Sequence, residues 1–454
     1  MAAAADDGSD TIYALASGAG SAGIAVYRLS GPAAGAAVRA LTGAAPPPPR
    51  QAVLRRIGDA AGEAAGSEID RGLVLWFPGP ASFTGEDVAE FHLHGGRAVR
   101  AAFYRALAAL PGLRAAEAGE FTRRAFENGR LDLTQAEGLA DLVAAETEGQ
   151  RRQALRQMEG ALGARYDRWR TDLVACLAEL EAAIDFVDED LPEDVVPPAI
   201  ARLAVLAAEL EAHLADGSRG ERLRDGVQVA IVGPPNAGKS SLLNALARRE
   251  AAIVADRAGT TRDIVEVALD LGGVPVLLAD TAGLRHSADS VEAEGVRRAL
   301  ARAASDDIRI LLLDATAWPP DPALLADLPS GPAIVAVNKV DLAPVPAGTA
   351  VLGQESLQLS VRTGSGLSAL LTRLEDMAAS LAAPAAEAGI TRVRHREAVE
   401  ECLAAVRRAL AAPGGAELVA EDVRFAARSL GRITGRVDVE EILDHVFARF
   451  CIGK

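Results

Sequence analysis

An apolar run, VQVAIVG, leads straight into Gly233-Pro-Pro-Asn-Ala-Gly238-Lys239-Ser240 and from there into the helical pattern SLLNALAR. This is the GxxxxGK[ST] spacing with a strand before it and a helix after it. Such a loop turns backbone N–H groups toward phosphates, while a lysine reaches the β/γ-phosphates and a hydroxyl ligates Mg²⁺. The helix that follows aims the positive end of its dipole at the same anion. An ordinary glycine turn with a chance lysine has no need of that strand–loop–helix frame. Asn236, Ala237, Gly238, Lys239, Ser240 and Ser241 are therefore the phosphate-binding candidates, with Lys239 also catalytic and Ser240 on Mg²⁺.

The rest of a guanine-nucleotide site follows in order. Ala255, Asp256, Arg257, Ala258, Gly259, Thr260 and Thr261 precede Arg262-Asp263 in a polar stretch suited to a switch loop. A threonine hydroxyl there, Thr261 first and Thr260 beside it, can complete the Mg²⁺ shell and sense the γ-phosphate. The run VPVLLAD ends in Asp280-Thr281-Ala282-Gly283, where Asp280 can hold Mg²⁺ through water and the Gly283 N–H can meet the γ-phosphate. Asn338-Lys339-Val340-Asp341 closes another strand, AIVAVN. A carboxylate at Asp341 accepts hydrogen bonds from the ring N–H and amino group of guanine, which adenine cannot supply, so it selects the base. Ser360, Val361 and Arg362 fit the loop that touches the guanine carbonyl.

Leu284 stands where many GTPases carry a glutamine to orient the attacking water. No local motif identifies an arginine finger. Water orientation and charge neutralisation must come from elsewhere. Glu292 and Glu294 are candidate carboxylates close to the second switch, and a solvated helix face is the alternative reading for either.

At 454 residues the chain exceeds one core. Residues 1–126 alternate β-like and helical runs. Residues 127–222 carry apolar residues at three- and four-residue spacing, the pattern of amphipathic helices, and residues 223–380 alternate strands and helices as in a parallel sheet covered on both faces. Residues 381–454 return to helix. The expected architecture is multidomain α/β and α, with the P-loop domain inserted into a helical domain discontinuous in sequence.

The net charge of −16 argues against a surface broadly adhesive to nucleic acid. A local patch at Arg392, Arg394 and Arg396 is one candidate; a solvated helix start is the other. No apolar run approaches the roughly 18–20 residues of a membrane span. The N-terminus lacks the basic start of a signal peptide, and the three cysteines cannot build a disulfide framework, so a cytoplasmic location is expected. Of 47 basic residues only three are lysines, Lys239, Lys339 and Lys454. Two of them fall in nucleotide motifs, where a slender ammonium and a broad guanidinium are not interchangeable.

With DTIYALAS, LWFPGPASFTGEDVAE, HGG, GEFTRRAFENGRLDLTQAE, EAAIDF and the terminal FCIGK in addition, the chain resembles the MnmE (TrmE) tRNA-modification GTPase family almost end to end. That resemblance implies an N-terminal tetrahydrofolate-binding, dimerising domain, a homodimer, and a heterotetramer with the FAD-dependent MnmG (GidA) protein that acts on tRNA. The complex would add an aminomethyl or carboxymethylaminomethyl group to carbon 5 of the wobble uridine. The resemblance implies a 5-formyltetrahydrofolate or related site at Arg28, Glu90, Arg130 and Lys454, with Arg130 where the family has lysine. It also implies K⁺ held by Asn236, Thr260 and the carbonyls of Ala255 and Arg257, standing in for the arginine finger as two GTPase domains close on each other. Ala255 replaces an expected threonine, which a carbonyl ligand tolerates. Glu292 would then orient the water. A regulatory GTPase switch acting on ribosome or membrane is the alternative, and the flanking domains distinguish the two.

Overall fold

The structure, a computed structural model, describes residues 10–59, 67–185, 196–249, 252–253, 266–280, 306–320, 325, 333–346, 348–382, 388–411, 416–437, 440–448, 450 and 453. The chain divides into two compact units, Met1–Ala140 with Gly431–Lys454, and Asp141–Leu430.

In the first unit the strands are β1 (Thr11–Leu15), β2 (Ala25–Ser30), β3 (Val53–Gly58), β4 (Glu68–Phe77), β5 (Val88–Leu93) and β6 (Leu113–Ala115). They form one sheet in the order β3-β4-β5-β2-β1-β6, antiparallel except for the β1–β6 pair. The period-two alternation of a strand sorts its side chains. Tyr27, Leu29, Ala89, Phe91 and Val74 are buried in one cluster with residues of helices α1 (Ala34–Thr42) and α2 (Arg97–Ala108). Phe103 of α2 lies 4.8 Å from the Tyr27 ring and 5.2 Å from Phe91. Truncating a buried phenylalanine there would cost about 3–5 kcal/mol. The alternate positions, Arg28, Glu90 and His92, belong to the other face.

Helices α3 (Glu120–Glu127) and α4 (Leu133–Ala144) follow. Buried Arg124 ties α3 to the loop before β5 through Glu86 at 3.2 Å, while Glu120 of the same helix pairs with it at 3.1 Å. Leu133 and Ala136 share a cluster with Leu443, Val446, Phe447 and Phe450 from the end of the chain. Gly453 comes so close to β1 that a Cβ would stand 2.1 Å from the Leu15 carbonyl oxygen.

The second unit begins with helices α5 (Glu148–Met158), α6 (Ala161–Asp185) and α7 (Val196–Asp225), the last opening on Pro197 and Pro198, where missing N–H groups cost nothing. Its larger sheet contains β7 (Val227–Val232), β8 (Ala252–Ile253), β9 (Glu266–Leu271), β10 (Val274–Asp280), β11 (Ile308–Asp314), β12 (Ala333–Asn338) and β15 (Leu357–Gln358). The order is β15-β12-β11-β7-β10-β9-β8. Five strands are parallel, as the sequence suggests, and β9 and β8 add an antiparallel edge. A short hairpin, β13 (Ala350–Val351) and β14 (Gln354–Glu355), stands apart. Helices α8 (Lys239–Ala247) and α9 (Leu367–Ala382) bury Leu242, Leu246, Leu370 and Leu374 against Val229, Ile231 and Leu278 on one face of the large sheet. Ala230, Val232, Leu311, Leu313 and Val335 form the core of the opposite face. Helices α10 (Val393–Ala411) and α11 (Ala416–Thr434) complete the described elements of this unit.

Both chain connections between the helices and the sheet converge on Asp141, which accepts from Arg224 at 3.0 Å and from Arg392 at 2.8 Å. Beside them the N–H of Gly149 donates to the Gly273 carbonyl at 3.1 Å, in the turn between β9 and β10. A Cβ on Gly149 would lie 2.4 Å from that oxygen, so only glycine admits the turn. Arg396 pairs with Glu221. The arginine run Arg392–Arg396 is therefore a fixture of this joint, not a free basic patch. Among the described residues no helix is long and apolar enough to cross a membrane.

Candidate guanine-nucleotide site

The site lies at the carboxyl ends of the parallel strands, where ligands of open α/β sheets bind. β7 passes through Gly233, whose backbone approaches β11 so closely that a Cβ would meet the Leu312 carbonyl oxygen at 2.1 Å. Gly238 has φ +99° and would put a Cβ 2.5 Å from Asn338 Nδ2. These two positions admit no side chain, which keeps the loop a backbone cradle. Asn236, at φ 61°, takes the left-handed conformation that asparagine tolerates best among non-glycine residues. α8 begins at Lys239 with no side-chain cap, so its first N–H groups remain for an anion. Lys239 Nζ donates to the carbonyls of Gly233 and Pro234, both at 2.9 Å, holding the ammonium over the loop. Ser240 and Ser241 occupy the first turn of the helix.

Asn338 ties three distant segments together. Its Nδ2 donates to the Ala237 carbonyl at 2.8 Å, and its Oδ1 accepts from the Val361 N–H at 3.0 Å. The side chain is 3% exposed, so these bonds form away from competing water. One buried amide thus joins the glycine-rich loop to the segments around residues 338 and 361. Asp341 pairs with Arg362 at 2.6 Å. Its carboxyl is held below the usual carboxylate range, first by a hydrogen bond from Ser360 and further by the Arg362 charge. The carboxylate is therefore ionised at neutral pH. Lys339, at φ 66°, places its Nζ 2.6 Å from Asp314 Oδ2 at the end of β11. Asp314, absent from the sequence reading, is signalled there only as the acidic end of the apolar run IRILLLD.

Asp280 terminates β10, paired in register with Ile231 of β7, which brings its backbone to the same strand ends. Ala255, Asp256, Arg257, Ala258, Gly259, Thr260, Thr261, Thr281, Ala282, Gly283, Glu292 and Glu294 lie outside the described residues, as does Lys454.

The second group of candidates stands on the polar face of the N-terminal sheet. Arg28 and Glu90 are direct register partners on β2 and β5. Arg28 Nε and Nη2 donate to Glu90 Oε1 at 3.1 and 2.9 Å, and His92 Nε2 lies 3.4 Å from Oε2. The guanidinium stands 5.4 Å from the Phe83 ring centroid and 6.0 Å from that of Phe121. Arg130 is exposed, and its Cγ lies 3.4 Å from the place a Cβ on Gly85 would take, beside the Gly79–Asp87 loop. The sequence does not mark His92, Phe83 and Phe121, because strand register, the loop between β4 and β5, and helix α3 bring them to the Arg28–Glu90 pair.

The model of the GTP-binding protein TrmE N-terminus matches residues 11–130, and that of the MnmE helical domain matches residues 133–451. Among curated relatives, the tRNA modification GTPase MnmE of Parvibaculum lavamentivorans is 58% identical, the match covering 98% of this chain and 100% of the relative. The proteins of the same name from Rhodospirillum rubrum and Paramagnetospirillum magneticum are 56% and 55% identical, each over 98% of this chain and over 99% and 100% of theirs.

Proposed function

The chain belongs to the MnmE (TrmE) family of tRNA-modification GTPases, and on that premise we propose that it hydrolyses GTP as one subunit of a complex that modifies the wobble uridine of certain tRNAs. The observation that carries the GTP reading is the double hydrogen bond of Asn338. It supports reading as one site a phosphate loop and a base-recognition segment that are about a hundred residues apart in sequence. Phosphates lie on the N–H groups of the loop and of the first turn of α8, Lys239 neutralises developing charge, and Asp341 selects guanine. The chemistry of the residues fits Mg²⁺, with the Ser240 hydroxyl in the first turn and Thr261 in the switch segment as its holders.

The reading extends to K⁺ at Asn236, Thr260 and the carbonyls of Ala255 and Arg257, and to Glu292 as the residue that orients water. With Leu284 in place of glutamine, a bound monovalent cation would supply the positive charge that an arginine finger supplies elsewhere. G domains from two copies of the chain would close around it. In the N-terminal unit, Arg28 and Glu90 on the sheet and Arg130 after α3, with Lys454 from the end of the chain, form the reading's tetrahydrofolate site. The exposed edge of the Arg28–Glu90 pair and its two aromatic neighbours suit a flat, polar heterocycle. The flavin-dependent partner MnmG (GidA) completes the complex that attaches the aminomethyl or carboxymethylaminomethyl group at carbon 5. The domain organisation we propose is 1–126, 127–222, 223–380 and 381–454, with a cytoplasmic location.

Mass spectrometry of wobble uridines tests this function. A strain lacking the gene should lose the carbon-5 group, the unmodified gene should restore it, and Lys239→Ala should not. Hydrolysis by the purified protein should be faster in K⁺ than in Na⁺. Full modification supported by Lys239→Ala would sink the coupling of GTP hydrolysis to the tRNA chemistry.

A further inference from the structure

We infer that Asp314 is a positioning residue for guanine recognition, holding Lys339 so that its methylene stem forms a wall of the base site. The inference rests on the GTP-binding reading above and adds to it a residue outside the nucleotide motifs.

The carboxylate of Asp314 is fixed on both oxygens. Oδ1 accepts from the Thr316 N–H at 2.9 Å and from its hydroxyl at 2.7 Å, and Oδ2 accepts from Lys339 Nζ at 2.6 Å. Burial alone would raise its pKa, but the hydrogen bonds from Lys339 and Thr316 outweigh burial and keep the carboxyl below its ordinary range. The Asp314 side chain is 12% exposed and that of Lys339 30%, so the pair sits at the rim of the site and not in bulk water. Parallel register sets Asp314 directly beside Asn338, the residue before Lys339. The left-handed backbone at Lys339 fixes the direction in which its side chain leaves the strand. With one end set by the backbone and the other by Asp314, the four methylenes lie between the carboxyl ends of β11 and β12.

That arrangement does two things for a purine. It offers a narrow apolar edge to a planar ring, and it removes the side-chain ordering that a free lysine would undergo on binding. It also accounts for lysine at this position in a chain that uses arginine nearly everywhere else. An ammonium ends a slender stem, whereas a guanidinium is a broad planar fork.

Asp314→Asn keeps the shape and the contacts to Thr316 and removes the charge that anchors Lys339. It should raise the KM for GTP and the Kd for GDP alike by about three- to tenfold, with kcat within about twofold of the unmodified protein. Asp314→Glu, which restores the charge, should recover part of the loss. In a Lys339→Met background, where no ammonium remains to be anchored, Asp314→Asn should have no further effect on KM. A merely structural role would lower melting temperature and kcat together and add its effect to that of Lys339→Met. An unchanged KM in Asp314→Asn, or the same rise with and without Lys339, would overturn the inference. Failure of the unmodified protein to bind GTP would instead overturn the reading of the site itself.

Discussion

The candidate nucleotide site of the second unit and the Arg28–Glu90 face of the first are built by opposite means. The first is assembled from contiguous motifs at strand ends, because its ligand groups are largely backbone N–H and carbonyl atoms that a local sequence can aim. Gly233 and Gly238 are read from the local glycine spacing, although what they make room for, Leu312 and Asn338, lies far away in sequence. The second rests on residues 28, 90, 92 and 83, which approach one another only through the register of β2 with β5 and the loop that precedes β5. A backbone site is therefore written locally, and a side-chain site on a sheet is written in pairing.

If that contrast is sound, damage at either site should stay there. The largest effect is expected from Lys239→Ala. Loss of the ammonium over the phosphate loop should cut GTP hydrolysis by about a thousandfold or more, as removal of a preorganised charge does elsewhere. Tetrahydrofolate binding measured by calorimetry should be unchanged. A parallel loss of both would mean that the two regions are not separate sites.

The next effect concerns the helical part of the second unit, which separates stability from either site. His213 is 5% exposed and accepts from Arg165 through Nδ1 at 2.9 Å. Arginine is only a donor, so the ring proton lies on Nε2, which faces the Tyr166 hydroxyl at 3.1 Å. Burial first, then the charges of Arg165 and His395, push its pKa down to about 4. The unfolded chain binds a proton near pH 6.5 that the folded protein refuses. Stability is therefore complete above about pH 6.5 and falls as pH drops toward 4, by about 3 kcal/mol in all. His213→Gln should flatten that slope in melting experiments between pH 4 and 6.5. An equal slope in the variant would assign the acid sensitivity to other groups.

Smallest should be Glu90→Gln. It leaves Arg28 without its charge partner and should weaken binding of a tetrahydrofolate derivative by about tenfold, the scale of one partly exposed charged hydrogen bond. GTP hydrolysis should be unaltered. Wild-type folate affinity in the variant would remove Glu90 from that site.

Much of this molecule is legible from its residues, for reasons that differ by region. Strands β2, β4 and β5 of the first sheet and β7, β10, β11, β12 and β15 of the second announce themselves by alternation or by apolar runs, whereas β1, β3 and β6 do not. The step from β7 into α8 is plain from the glycine spacing. The antiparallel edge made by β8 and β9 is not, because a short strand carries no sign of its direction until its partner is known. The joint is also hidden. Asp141, Gly149, Gln150 and Gln153 are unremarkable in sequence, yet Gln150 and Gln153 donate to the carbonyls of Arg224 and Gly220, both at 2.9 Å. The run ITRVRHRE shows charge but not its partners, which tertiary packing supplies in Asp141 and Glu221. The scarcity of lysine points the right way for Lys239 and Lys339, and only the fold reveals that Asp314 holds the latter.

Base selection by Asp341 is the claim on which the account of the second unit turns, and one calorimetric comparison tests it. The unmodified protein should bind GTP at least about a hundredfold more tightly than ATP, because adenine leaves the carboxylate with no donor pair. Asp341→Asn should reverse the guanine preference in favour of xanthosine nucleotides, which present a carbonyl where guanine presents its amino group. Equal affinities for GTP and ATP, or an Asp341→Asn protein that still prefers GTP to xanthosine triphosphate, would contradict it.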